Sequence, residues 1–183
     1  MAEVLEFDQM FYTNFQPKVK NNFIMEIDGI PSYMIKTTGR PSISFDPITL
    51  DHINVKRKLK GKGEWQDISI TLYDPIIPSG AQAVMEWVRL SHESLTGRDG
   101  YSDMYKKDVD IYLLGPPGDK IEQWKIKGAW IVSAEFGDVD WSASDPVEIS
   151  LTLAMDYCIL EYWFRTNINK KYLVFLNQIS TLN

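Results

Sequence analysis

The sequence predicts a mainly β protein, an antiparallel β-sandwich or barrel with one inserted α-helix. Many short segments alternate apolar and polar residues and are bounded by Gly, Pro or Asp, which is typical of strands. Only one stretch has helical spacing, and strands do not alternate with helices as they do in parallel α/β proteins. The chain has 183 residues, 44% hydrophobic and 24% charged, which suits one domain with a sizeable core.

The predicted strands share alternating residues and flanking turn signals, and in chain order they cover 23–28, 33–38, 42–50, two within 52–74, 109–114, 121–127, 129–136 and 147–157. Gly29 and Pro31 predict a hairpin between the first two, and Pro47 is expected to break the third. The two strands within 52–74 are expected to turn at Gly61–Gly63. The first of these is too charged for a core strand, so its tip must project.

The predicted helix begins after Ser79. Gln82 follows three residues later, the spacing of a capping box that satisfies free backbone N–H groups at a helix start. Helical spacing then links Val84, Trp87, Val88, Ser91 and Leu95. Gly97 is the expected C-terminal stop.

The strand at 147–157 is expected to bury one face. Its apolar residues alternate strictly: Val147, Ile149, Leu151, Leu153 and Met155. The opposite face carries small polar and acidic residues: Glu148, Ser150, Thr152, Ala154 and Asp156. Such a strand must present this second face to a surface that tolerates small polar and acidic groups.

Charge is distributed unevenly along an acidic chain of net charge −6. Residues 51–62 carry five basic side chains against Asp51: Lys56, Arg57, Lys58, Lys60 and Lys62. Residues 135–156 carry six acidic side chains and no basic one. The basic segment has three interpretations: a solvated hairpin, a weak phosphate-binding element, or a tip that docks on the acidic surface of another copy.

The sequence does not predict an enzyme, and it predicts no cofactor and no metal site. His52 and His92 lie in different elements, without a partner at metal-ligand spacing. Residues 138–145 have alternating Asp but lack the turn Gly and terminal Glu of a calcium loop. Phosphate-loop and nucleophile-elbow motifs do not occur, and Cys158 is the single cysteine, which excludes an intrachain disulfide. The sequence contains no apolar run long enough for a membrane span, and acids replace the bases of a signal peptide at the N-terminus.

An ordered series of segments resembles the tail tube proteins of contractile-tailed bacteriophages, which share their fold with the haemolysin-coregulated protein of type VI secretion. "IKGAW" at 126–130 and "DVDWSASDPVEISLTLAMDY" at 138–157 carry the closest likeness. "NFIMEIDGI", the basic "VKRKLKGKGEWQDISITLYD", "AQAVMEWVR" and "MYKKD" occur in the family's order. The resemblance divides the chain into an N-terminal arm (1–21), a barrel domain (22–157) and a C-terminal extension (158–183).

The resemblance implies a structural subunit of the inner tube, in which hexameric rings stack into a conduit for DNA. Lys56, Arg57, Lys58, Lys60 and Lys62 are then expected at the contact between rings, and Glu148, Ser150, Thr152 and Asp156 in the lumen. Acidic and small side chains there would repel phosphate, so that DNA passes without specific binding. The implied partners are other copies of the chain, sheath, tape-measure, baseplate and tail-terminator proteins. The implied location is the virion tail, assembled in the host cytoplasm.

Two departures from the family leave alternatives open. The chain continues past the point where the family typically ends, and its N-terminal arm is long. Large apolar residues from Trp163 to Ile179 also have the spacing of an amphipathic helix in part of the C-terminal extension. A tube-like baseplate or tube-terminating protein would have the same fold. A type VI secretion tube subunit is the other alternative.

Overall fold

A computed structural model describes residues 16–162, which form eleven β-strands and two α-helices. The strands are β1 (Phe23–Ile27), β2 (Ile35–Thr38), β3 (Ile43–His52), β4 (Val55–Trp65), β5 (Ile68–Tyr73), β6 (His92–Glu93), β7 (Arg98–Asp99), β8 (Lys107–Leu114), β9 (Lys120–Glu135), β10 (Glu148–Ala154) and β11 (Tyr157–Tyr162). The helices are α1 (Gly80–Ser91) and α2 (Ser102–Tyr105). No helix in this range is long and apolar enough to cross a membrane.

Seven strands form one antiparallel sheet, six of them in the order β1-β8-β9-β10-β5-β2 and the seventh, β11, paired with β9. The long strand β9 belongs to both halves of this sheet, because its first part pairs with β8 and its last part with β10. Strand β11 continues past β10 along the same side of β9, from Tyr157 opposite Lys127 to Tyr162 opposite Glu122. The sheet therefore extends five residues beyond 157.

The two halves of the sheet bury a single hydrophobic cluster. The half with β1 and β8 contributes Met25, Ile27, Val109 and Ile111. The half with β5 and β10 contributes Ile68, Ile70, Leu72, Ile149, Leu151 and Leu153. Helix α1 adds Val84 and Trp87 to the same cluster. The mainly β architecture with one main helix, predicted from the sequence, is confirmed.

The predicted helix start is confirmed, but the predicted helix end is wrong. The Ser79 side chain accepts a hydrogen bond from the Gln82 backbone N–H. The helix then ends at Ser91, because the next residues turn back as the short β6–β7 pair. Gly97, with φ +67°, lies in that turn, and Leu95 is exposed there.

The two predicted hairpins, one around Gly29 and one around Gly61–Gly63, are wrong. Strand β1 pairs with β8 and β2 with β5, so the residues around Gly29 form a corner between the two halves of the sheet. Strand β4 continues through Gly61–Gly63, and the hairpin turns at Ile53–Asn54 instead. A Cβ at Gly61 would lie 2.1 Å from the Asp46 carbonyl oxygen, so this glycine allows close approach at an irregularity in the pairing. Pro47 is accommodated in β3 beside the same irregularity.

The strands predicted at 121–127 and 129–136 are one continuous strand, β9. Gly128 joins them, with φ +65°, where β8 has one residue fewer than β9. The strand predicted at 147–157 ends at Ala154. Its buried face is confirmed at Ile149, Leu151 and Leu153. The expectations for 1–15 and for the amphipathic helix within 163–183 lie outside the described residues.

Candidate assembly surfaces

The β3–β4 hairpin is a separate two-stranded sheet that projects from the folded sheet. Within residues 16–162, these two strands pair with each other and with no third strand. Strand β3 is ten residues long, so the arm extends by about 30 Å at ~3.3 Å per residue. All its residues except Gly61 and Trp65 are exposed. The expectation of a projecting charged arm is therefore confirmed, although the turn lies elsewhere.

Three of the five basic candidates share one face of this hairpin. Lys56, Lys58 and Lys60 occupy alternate positions of β4, opposite Asp51, Thr49 and Pro47. The Lys56 ammonium lies 3.9 Å from the Asp51 carboxylate, and both side chains are exposed. The Lys60 ammonium lies 4.1 Å from the centre of the Phe45 ring. We call this surface, formed by Lys56, Lys58 and Lys60, the lysine face.

The opposite face of the hairpin is apolar. The cross-strand pairs there are Ile48 with Leu59, Leu50 with Arg57 and His52 with Val55. Ile48, Leu50, Val55 and Leu59 are exposed, so we call these four residues the apolar face. Arg57 thus lies away from the three lysines, and Lys62 lies beyond the irregularity, nearer the main sheet. Sequence reasoning missed the apolar face, although the alternation of Ile48 with Leu50 and of Val55 with Leu59 contains the signal.

Glu148, Ser150 and Thr152 lie together on the outer face of β10. Ser150 pairs with Thr71 on one side and Glu135 on the other, while Thr152 pairs with Ser69 and Ser133. Residues directly opposite in an antiparallel sheet share a face, so these small polar side chains form one continuous surface. At its edge, Lys36 donates a hydrogen bond to Glu148. That contact raises the pKa of Lys36.

Asp156 does not belong to this polar surface. It follows the end of β10, where its backbone N–H donates to the Lys127 carbonyl oxygen at 3.1 Å. The Lys106 ammonium donates to its two carboxylate oxygens at 2.7 and 2.9 Å. A Cβ at Gly128 would lie 2.1 Å from Oδ2 of Asp156. The structure therefore brings together three of the four predicted lumen residues and separates the fourth.

The acidic segment includes the loop 136–147, between β9 and β10. The Asp140 Oδ1 atom accepts hydrogen bonds from the Ser142 backbone N–H and hydroxyl, each at 2.9 Å. The hydrogen bond from the Ser142 backbone lowers the pKa of Asp140. Val139 and Trp141 are exposed on this loop. The loop thus combines negative charge with large apolar side chains.

The His and Cys side chains that could bind a metal or act in catalysis lie in different elements of the structure. Residues 16–162 contain no cluster of three or more His, Cys, Asp or Glu that could hold a metal ion. His52 lies at the hairpin turn, and the Nδ1 atom of His92 lies 2.8 Å from Asp99. Burial raises the pKa of the Cys158 thiol to about 11, so the thiol is protonated at neutral pH.

The sequence matches a known protein family over most of its length. Residues 19–159 match the family described as T4-like virus tail tube protein gp19. The chain belongs to this family. A search of curated protein sequences found no significant match. The resemblance inferred from the ordered segments is thereby confirmed, and the protein is a tail tube-type structural protein.

Solved structures of related particles share the fold of this tail tube protein. The extended sheath-tube complex of the extracellular contractile injection system PVC has a chain with 19% identity and a TM-score of 0.64, covering 87% of this chain and 100% of that one. The tube-terminating cap of the anti-feeding prophage has 18% identity and a TM-score of 0.67, with the same two coverages. The SPP1 tail tube has 15% identity and a TM-score of 0.53, covering 84% and 88%.

Proposed function

We propose that this protein forms hexameric rings that stack head to tail into the inner tube of a contractile tail, and that the tube is a conduit for DNA. The observation that supports stacking is the hairpin, a long two-stranded arm projecting from one end of the sheet. Two-stranded hairpins are at best marginally stable alone in water. The length and exposure of the arm therefore support its packing against a second copy.

The polar surface of β10 is the proposed lining of the lumen. Ser and Thr side chains offer phosphate no fixed positive charge, and the Lys36 charge is paired with Glu148. Glu135 adds a carboxylate at the register position next to Ser150. A surface of this kind gives DNA little counterion release, which is the main source of nonspecific affinity. Asp156 is not expected to line the lumen, because its carboxylate is paired with Lys106.

The proposed partners follow from the tube. Other copies form rings and stacks, a sheath surrounds the tube, and tape-measure, baseplate and tail-terminator proteins occupy its interior and its ends. The protein would act in the virion tail after assembly in the host cytoplasm. The similarity to the tube of the PVC sheath-tube complex supports the sheath contact.

A tube-terminating protein is the second candidate function. The similarity to the anti-feeding prophage cap covers the whole of that chain, and a terminator would retain the fold while stopping growth. Electron microscopy of the purified protein separates the two functions. A tube subunit yields long hollow tubes, whereas a terminator yields single rings.

The lysine face supplies the test of stacking. The variant Lys56→Glu/Lys58→Glu/Lys60→Glu should fold normally, because these side chains are exposed, but should form few or short tubes. Each exposed pair contributes well under about 1 kcal/mol, yet the contact repeats at every subunit. A matched variant with Gln at the three positions should give tubes of intermediate abundance, and added salt should weaken wild-type stacking. Tubes of normal length from the Glu variant at physiological salt would contradict an electrostatic contact.

A further inference from the structure

The apolar face of the hairpin requires a cover that the lysine face does not supply. Leu50 and Leu59 lie on the side opposite Lys56, Lys58 and Lys60, so an acidic partner bound by the lysines would leave them in water. Exposed apolar patches of this kind mark interaction sites on soluble proteins. Arg57 lies within the patch and adds a planar cation that stacks well on aromatic rings.

Trp141 is a second large apolar side chain that is exposed to solvent. Its side chain is fully exposed, although the turn that carries it is ordered by the hydrogen bonds between Asp140 and Ser142. Tryptophan and arginine are the residue types most often found to dominate binding energy at protein interfaces. The same loop carries Asp138 and Asp140, so its charge is complementary to that of the hairpin.

The hairpin and the Trp141 loop lie at opposite ends of the same sheet. Strand β5 begins at Ile68, just after the hairpin ends, and Ile68 pairs with Leu153. It ends at Tyr73, which pairs with Glu148 just after the loop. Five steps along a strand separate these ends by about 17 Å, and the hairpin points away from the sheet. A contact between the two surfaces must therefore join two copies head to tail, which generates a stack.

We propose that the Trp141 indole of one copy packs on the apolar face of the hairpin of a second copy, with the Arg57 guanidinium of that copy against the ring. Ile48, Leu50 and Leu59 form the apolar floor of this contact. Asp138 and Asp140 of the first copy then approach strand β4 of the second copy. The opposite charges orient the contact, and the indole supplies most of its binding energy. This inference rests on the proposed head-to-tail assembly and assigns the residues that drive it.

The test compares assembly by the wild-type protein, Trp141→Ala and Trp141→Phe. Trp141→Ala should unfold at the wild-type temperature as a monomer, because the Trp141 side chain is fully exposed. The concentration needed for tube formation should rise by about tenfold or more, as expected for an interface anchor. Trp141→Phe should restore most of the assembly, since a flat aromatic ring remains. Combining Trp141→Ala with Arg57→Ala should cost less than the sum of the two single changes, because the partners are in contact.

Tryptophan fluorescence shows directly whether Trp141 becomes buried when the protein assembles. The difference in acrylamide quenching between wild type and Trp141→Phe reports Trp141 alone. We expect this difference to be large in the monomer and small in the tube. If wild-type tubes leave Trp141 fully quenchable, or if Trp141→Ala assembles at the wild-type concentration, the inference is wrong while the tube function stands. A wild-type protein that never stacks would overturn the proposed function together with this inference.

Discussion

At the scale of single residues, Glu122 is the best example of a charge that the fold must compensate. Its carboxylate is 1% exposed at the start of β9. Lys18 and the Trp124 indole N–H donate hydrogen bonds to it, and Arg40 donates another at 2.6 Å. Burial raises the pKa of Glu122, but these contacts with Lys18, Trp124 and Arg40 more than offset that effect and lower the pKa below its ordinary value. Glu122 thus fastens two distant segments to the sheet.

Glu122→Gln should lower the free energy of unfolding by about 1–3 kcal/mol near pH 7, because it removes a buried acceptor of charge-assisted hydrogen bonds. A folded-state pKa below the unfolded one means that the unfolded chain binds more protons, so stability rises with pH. The contribution of Glu122 is therefore full above about pH 4.5, near the unfolded pKa, and is lost as the pH falls through the folded pKa. Urea denaturation of the monomer between pH 3 and 7 measures this difference.

Glu161→Gln is the matched control for Glu122→Gln. Glu161 also pairs with a lysine, Lys125, at 2.8 Å, but its side chain is 42% exposed. Exposed ion pairs contribute about 0–1 kcal/mol. An equal loss of stability for both variants would contradict the role assigned to burial at Glu122.

At the scale of elements, helix α1 begins with two side-chain acceptors rather than one. Ser79 Oγ accepts from Gln82 N at 3.3 Å, as its spacing predicts. Asp74 Oδ1 accepts from Gly80 N at 2.8 Å and from Ala81 N at 3.2 Å. The aspartate also places a negative charge at the positive end of the helix dipole. Its role was not predicted, because Asp74 precedes the helix by six residues and lies outside the spacing of a capping box.

Asp74→Ala should therefore destabilise the monomer more than Ser79→Ala. We expect about 1–2 kcal/mol for Asp74→Ala and about 0.5–1 kcal/mol for Ser79→Ala, within the range measured for N-terminal caps. Gln82→Ala is the control, since the Gln82 side chain donates a hydrogen bond to Glu86 on the exposed side of the helix, at 3.0 Å. Thermal unfolding followed by circular dichroism ranks the three variants. The opposite ranking of Asp74 and Ser79 would show that Ser79 is the main cap.

At the scale of the whole molecule, the three candidate assembly surfaces lie on different parts of the sheet. The hairpin and the acidic loop occupy opposite ends, and the Ser- and Thr-rich surface covers one side of the β5–β10 half. This arrangement supports stacking through the ends and a lumen along the side. Glu148 and Asp156 both participate in ion pairs. Ser150 and Thr152 are therefore better positions for testing the proposed lumen.

Ser150→Lys/Thr152→Lys should assemble into tubes that retain DNA, because two lysines per subunit would line the lumen with positive charge. Ser150→Gln/Thr152→Gln is the control of similar bulk without charge and should retain none. Protection of a short duplex from nuclease, measured on purified tubes, distinguishes them. If neither variant forms tubes, this surface lies at a contact between subunits and the lumen assignment is wrong.

The features that the sequence by itself determined are those encoded by neighbouring residues. The alternation at Ile149, Leu151 and Leu153 settles which side of β10 is buried, because successive side chains of a strand point in opposite directions. The spacing of Ser79 and Gln82 likewise settles the start of α1. The ordered segments also carry enough of the family pattern to predict the fold and a structural role.

Only the tertiary structure decided which strands pair and which side chains therefore meet. Gly61–Gly63 is consistent with a turn in the sequence, but β3 binds β4 across it, since register depends on a partner strand and on local irregularities. That register places Ile48 opposite Leu59 and Leu50 opposite Arg57, and so joins the apolar residues of the two strands into one face. Asp156 likewise lies beyond the end of β10, where its carboxylate binds Lys106, fifty residues earlier in the chain. Contacts between distant segments form only when the chain folds, so the pattern of neighbouring residues in the sequence cannot predict them.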